Sequence, residues 1–133
     1  QGGVVWFNPA IRSVYFARRN LTQLARQYAR YGFWKARMLL RYPASLRWRQ
    51  ALPPLFALST VGLLVGAGFD PLTFVALAME WGAYFAVLFL TGLREAVRRR
   101  SPSLVVGLPL ALATMHLAWG GTFWWGLLTG LLR

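Results

Sequence analysis

Arg26, Arg30, Arg37 and Arg41 recur at spacings of four and seven, with Gln23, Gln27 and Trp34 set between them. At ~100° per residue these seven side chains share one face of a helix. A guanidinium is a planar fork that grips phosphate or carboxylate through two parallel hydrogen bonds. Glutamine adds a neutral donor and acceptor, and tryptophan adds a flat apolar surface. The chemistry such a face offers is anion binding, of phosphate or carboxylate.

The other reactive groups are few. The chain carries fourteen Arg and one Lys against three acids, Asp70, Glu80 and Glu95, for a formal net charge of +12. It has no Cys, so thiolate metal sites and disulfides are excluded. Its only histidine, His116, cannot build a His-cluster metal site. Glu80 and His116 stand in otherwise apolar surroundings. An ionisable group inside a membrane is a functional candidate by default. Counted from Leu93 and from Leu104 respectively, the two lie at one depth, roughly 18–20 Å from a shared boundary. They are expected to pair and lock two helices together, with Gly82, Ala83 and Ala113 allowing the close approach.

The elements that must position these groups follow from pattern. Hydrophobic residues make up 57% of the 133 residues and charged ones 14%. Apolar segments separated by basic clusters are the profile of an inner-membrane protein. Val4–Phe7 and Arg12–Phe16 are β-prone runs split by the turn signal Asn8-Pro9. Asn20 caps a helix from Leu21 to about Tyr42, where Pro43 stops it. Opposite its Arg stripe lie Leu21, Leu24, Tyr28, Tyr31, Gly32, Leu39 and Tyr42, with Lys35 snorkelling from that side. A basic amphipathic helix of this kind lies in a membrane interface. A short helix over Ala44–Gln50 leads onward. Ala51–Phe69, Pro71–Leu93 and Leu104–Leu132 are each about long enough to cross a bilayer. The loop at Gly68–Asp70 has no basic residue, whereas 94–103 has four Arg. The positive-inside rule then puts 1–50 and 94–103 in the cytoplasm, and Asp70 and the C-terminus outside. Trp119, Trp124 and Trp125 fit an outer aromatic belt. The fold class is mainly α: a short β remnant, an amphipathic interface helix and three transmembrane helices.

Two readings of the basic stretch compete on residues alone, and a third functional reading concerns Glu80 and His116. A nucleic-acid arm needs basic and aromatic residues together, but this one runs directly into a membrane segment, so no nucleic-acid partner is expected. A helix on anionic lipid headgroups accounts for charge and amphipathicity, at roughly 1 kcal/mol per basic residue. It does not account for Arg in place of Lys, nor for Gln23, Gln27 and Trp34 inside the stripe. A proton-coupled transporter would use Glu80 and His116, yet one acid and one histidine in three helices make a thin relay.

The five residues "QYARY", Gln27 to Tyr31, resemble the Q-x-x-R-W motif of membrane-bound family-2 glycosyltransferases of exopolysaccharide, succinoglycan type. The wider run "GGVVWFNPAIRSVYFARRNLTQLARQYARYGFWKARML" is similar to the passage from the end of their catalytic domain into the interface helix. "ATMHLAWGGTFWWGLLTG" looks like their last membrane segment. The resemblance implies that residues 1–19 end a catalytic domain, that 20–50 form interface helices and that 51–133 form the membrane region. It implies a sugar passing from a nucleotide-sugar donor to a lipid-linked or polysaccharide acceptor in a bacterial inner membrane. Arg30 would meet the donor diphosphate and Gln27 would bond beside it. Tyr31 stands where the family often has Trp near the acceptor, and Trp34 joins them as a substrate-binding candidate. The family's catalytic and nucleotide-binding Asp residues, and its D-x-D for a divalent metal (Mg or Mn), lie upstream of the matching segment. No catalytic residue and no metal ligand is expected here, and the chain alone should be inactive, a portion of a longer enzyme. The alternative is a small non-enzymatic membrane protein with a polybasic lipid-binding helix.

Overall fold

The computed structural model describes residues 3–4, 6, 8–14 and 18–132. Four helices follow one another: α1 over Leu21–Arg41, α2 over Trp48–Gly66, α3 over Pro71–Arg99 and α4 over Leu104–Leu131, with a 3-10 turn at Pro43–Ser45 between the first two.

The helix ends follow local chemistry. Asn20 Oδ1 accepts from the Gln23 N–H at 2.9 Å, which fixes the start of α1. Lys35 does not snorkel; its Nζ donates to the Ser45 carbonyl at 2.6 Å and ties the 3-10 turn back onto α1. Asp70 accepts from the Thr73 N–H at 3.3 Å and starts α3, with Pro71 in the first turn. α3 runs on through the expected loop to Arg99 and stops where Arg100 turns left-handed at φ 52°.

Several expectations need correction. Among the described residues there is no strand. Residues 5, 7 and 15–17 of the two proposed runs lie outside the described residues; the turn between the runs is present, with Ile11 N–H on the Asn8 carbonyl at 3.2 Å. The separate helix at Ala44–Gln50 is absent, because α2 already begins at Trp48. Pro53 and Pro54 therefore sit inside α2, not at its first turn. They remove the N–H groups that would bond the Arg49 and Gln50 carbonyls. Two helices, α3 and α4, are long and apolar enough to cross a membrane. α2 falls short of the expected third span. Its first turn is Trp48-Arg49-Gln50, and the apolar remainder from Ala51 covers roughly 24 Å against ~30 Å of hydrocarbon.

α1 makes its most extensive contact with α4. The seam is a third face of α1, between the Arg stripe and the bulky stripe. Gly32 and Ala36 are its buried residues. A Cβ on Gly32 would collide with the Trp119 carbonyl, and one on Gly126 would come within 2.6 Å of the Phe33 carbonyl. The Thr122 hydroxyl crosses to the Ala29 carbonyl at 2.8 Å. Small residues let two backbones approach where no bulky side chain could fit. α2 is tied to α4 in the same way: Gly120 lies against the Pro53 carbonyl, and Trp124 Nε1 donates to the Pro54 carbonyl at 2.7 Å. Trp119 and Trp124 thus serve helix contacts, and only Trp125 is exposed as a belt residue would be. α3 and α4 come close at Gly92 against Pro109, whereas a Cβ on Gly82 would meet nothing within 4 Å.

Candidate functional site

On the free face of α1 the turn from Gln23 to Tyr31 joins Arg18 around a cavity of about 310 Å³, lined by Arg18, Gln23, Arg26, Gln27, Arg30 and Tyr31. Gln27 is the hub. Its Oε1 accepts from Arg18 Nε at 2.7 Å, and its Nε2 donates to the Tyr31 hydroxyl at 2.8 Å. The bond from residue i to i+4 brings Tyr31 to the polar side although its ring starts from the apolar edge. The Tyr31 ring meets the Tyr28 ring edge to face at 5.6 Å.

Three guanidinium groups line this cavity and no carboxylate does. Among the described residues the ion pairs are those of Glu95 with Arg98 at 3.5 Å and Arg99 at 2.9 Å. The Arg groups on α1 hold no internal anion, which is the electrostatic condition for receiving one from outside.

Of the expected substrate-binding residues, Gln27, Arg30 and Tyr31 are brought together. Trp34 is not. It stacks edge to face on Phe33 at 5.4 Å and lines a separate groove with Arg37, Trp125 and Thr129. Arg18 joins Gln27, Arg30 and Tyr31 from outside the Arg stripe of α1, and its signal in the sequence is its place in the pair Arg18-Arg19 just before the Asn20 cap. No three His, Asp or Glu among the described residues stand close enough to hold a metal. The described residues therefore do not fit a divalent cation.

The expected pair of Glu80 and His116 is corrected. The Glu80 carboxylate accepts from the Ser59 hydroxyl, and from Thr60 Oγ1 at 3.3 Å, both on α2. His116 Nδ1 instead meets the Tyr84 hydroxyl at 3.2 Å. The expected common depth is not what the helices show: α2 packs against α3 and offers the carboxylate its hydroxyls, and another residue of α3 stands level with His116. Tyr84, one turn on from Glu80, takes the ring. Its face stacks on Phe56 of α2 at 4.5 Å between centroids.

The chain is 30% identical over 120 residues to the succinoglycan biosynthesis protein ExoA of Rhizobium meliloti (strain 1021). The match takes in 90% of this chain and 34% of that protein, so the chain spans about a third of its relative's length. No family model matches the sequence. No solved structure matches it.

Proposed function

We propose that this chain is the membrane-anchoring and acceptor-side portion of a glycosyltransferase. It serves transfer of a sugar from a nucleotide-sugar donor to a lipid-linked or polysaccharide acceptor at the cytoplasmic face of a bacterial inner membrane. The carboxylates that bind the nucleotide and act as base, and any metal they hold, belong to a part of the enzyme beyond this chain. The observation that carries the reading is the carboxylate-free cavity of Arg18, Arg26 and Arg30 organised by Gln27. The similarity to a succinoglycan biosynthesis protein supports it.

The chemistry is electrostatic. As the bond between sugar and diphosphate breaks, negative charge grows on the departing phosphate oxygens. Fixed guanidinium groups at that position stabilise the transition state more than the ground state. Arg18 and Gln27 hold each other in register. Arg30 has no partner among the described residues and is available to the phosphate.

The test is sugar transfer in membranes bearing the complete enzyme. Arg30→Lys should lower turnover by about tenfold or more with insertion unchanged, because a point charge cannot replace a bidentate fork. Arg37→Lys, on the same helix but lining the other groove, should change it little. Equal activity of Arg30→Lys and wild type would remove the phosphate role. Binding to anionic vesicles with no transfer from any nucleotide sugar would favour the non-enzymatic lipid-binding alternative.

A further inference from the structure

The turn of α1 that carries Gln27 and Arg30 is held from two sides. On the free face Gln27 Oε1 accepts from Arg18 Nε at 2.7 Å. Ala29 lies ~200° around the helix from Gln27, and its carbonyl accepts from the Thr122 hydroxyl of α4 at 2.8 Å. That carbonyl belongs to the peptide unit whose nitrogen is the Arg30 nitrogen. Thr122 therefore grips the backbone from which the Arg30 side chain springs.

The rest of the seam gives α1 closeness without direction. Its buried residues on α1 are Gly32 and Ala36, which meet the Trp119 carbonyl and Gly126. Small residues let backbones approach, but they carry no side chain that would interlock and stop α1 turning about its axis. A hydrogen bond is directional and supplies what they lack. A Cβ on Gly32 would come within 2.7 Å of Thr122 Oγ1, so the glycine also opens the path for the hydroxyl.

The hydroxyl has one hydrogen for the carbonyls of Ala118 at 2.6 Å, Ala29 at 2.8 Å and Trp119 at 3.3 Å. Ala118 and Trp119 belong to α4 and are within its reach whether or not α1 is docked. Ala29 comes with α1 alone, so the share of the bond that Ala29 takes depends on how α1 is turned. Resting on the glycosyltransferase reading, we propose that Thr122 is a positioning residue for sugar transfer: from α4 it sets the rotation of α1 that aims Arg30 at the departing phosphate. The guanidinium stands at the end of a long side chain, which multiplies a small rotation of the helix. Stabilising the transition state requires donors already aimed at the developing charge, and a displacement of about 1 Å is enough to lower a rate severely.

The test uses the complete enzyme in membranes. Thr122→Val keeps the shape of the side chain and removes the hydroxyl. It should lower kcat about fivefold to tenfold and leave KM for the nucleotide sugar within about twofold. Thr122→Ser restores the hydroxyl and should recover most of the rate. Thr114→Val removes a hydroxyl bonded to the Leu110 carbonyl of its own helix and should transfer sugar as wild type does. Added to Arg30→Lys, Thr122→Val should cost less than about twofold more, because it acts through Arg30. Losses that multiply in the double variant overturn the proposal, as does wild-type kcat in Thr122→Val beside an impaired Arg30→Lys. A second readout needs no transfer. Spin labels on Arg26→Cys and Leu110→Cys in this Cys-free chain report how α1 is turned on α4. Their distance distribution should shift or broaden in Thr122→Val and return in Thr122→Ser, and an unchanged distribution overturns the positioning role. If Arg30→Lys transfers sugar as wild type does while the distribution shifts in Thr122→Val, the donor reading fails and the orienting of α1 by Thr122 stands.

Discussion

Glu80 illustrates how a single polar group chooses its partner. A carboxylate among apolar helices needs donors, and the nearest are hydroxyls. Ser59 and Thr60 are adjacent on α2 and both reach it. In thermal unfolding of the detergent-solubilised protein, a double-mutant cycle of Glu80→Gln with Ser59→Ala should give a coupling of about 1 kcal/mol. The cycle of Glu80→Gln with His116→Ala should be additive within about 0.5 kcal/mol. Strong coupling between Glu80 and His116 would restore the pairing expected from depth. At the candidate site, Tyr31→Phe removes the acceptor of the Gln27 amide and leaves the ring. Gln27 keeps its bond from Arg18, so this substitution should affect transfer less than Gln27→Ala, as relative rates with the complete enzyme would show.

At the scale of elements, the seam between α1 and α4 sets where the candidate site sits. Gly32 carries no side chain, and Gln27, Arg30 and Tyr31 just before it line the cavity on the free face of α1. Adding a side chain at Gly32 forces a collision with backbone, the Trp119 carbonyl, which cannot swing aside as a flexible side chain could. Gly32→Leu should therefore destabilise by roughly 1–3 kcal/mol or detach α1. Gly62→Ala, where a Cβ would meet nothing within 4 Å, should not destabilise. Melting temperature, together with protection of α1 amides from hydrogen exchange, would separate the two variants.

For the whole molecule the seam bears on topology. α1 docks on the half of α4 beyond Trp119, and Gly130 lies against Leu40 and Arg37. The Arg-rich end of α3 meets α4 at its other end, with Gly92 against Pro109 and the Leu104 carbonyl. A helix over Leu104–Leu131 is roughly 42 Å long, so if it crosses a bilayer its ends are on opposite faces. The loop Arg count had placed 94–103 on the side of α1. The docking predicts the reverse if the α1 region, which carries more basic residues than that loop, faces the cytoplasm. Single cysteines in this Cys-free chain at Ser101 and at Thr129 test it. An impermeant thiol reagent applied to intact cells should label position 101 and spare 129. Labelling of 129 alone would return the loop to the cytoplasm.

Much of this protein was determined by its sequence alone because the signals were local. Asn20 and Pro43 bound α1, Asp70 and Pro71 start α3, and apolar runs mark α3 and α4. Each depends on neighbours within a turn or on composition over a window. The Arg and Gln periodicity likewise placed Gln27 and Arg30 on one face. Tertiary structure decided everything that depended on distant partners. The true packing face of α1 is its Ala and Gly stripe, which carries no hydrophobic-moment signal and matters only when a second glycine-lined backbone comes near. Arg18 joins the site, Trp34 leaves it, and Glu80 turns to α2 in preference to His116, because these outcomes follow from which helix stands beside which. Helix pairing is a competition among close approaches, and a linear pattern of residue types does not rank them.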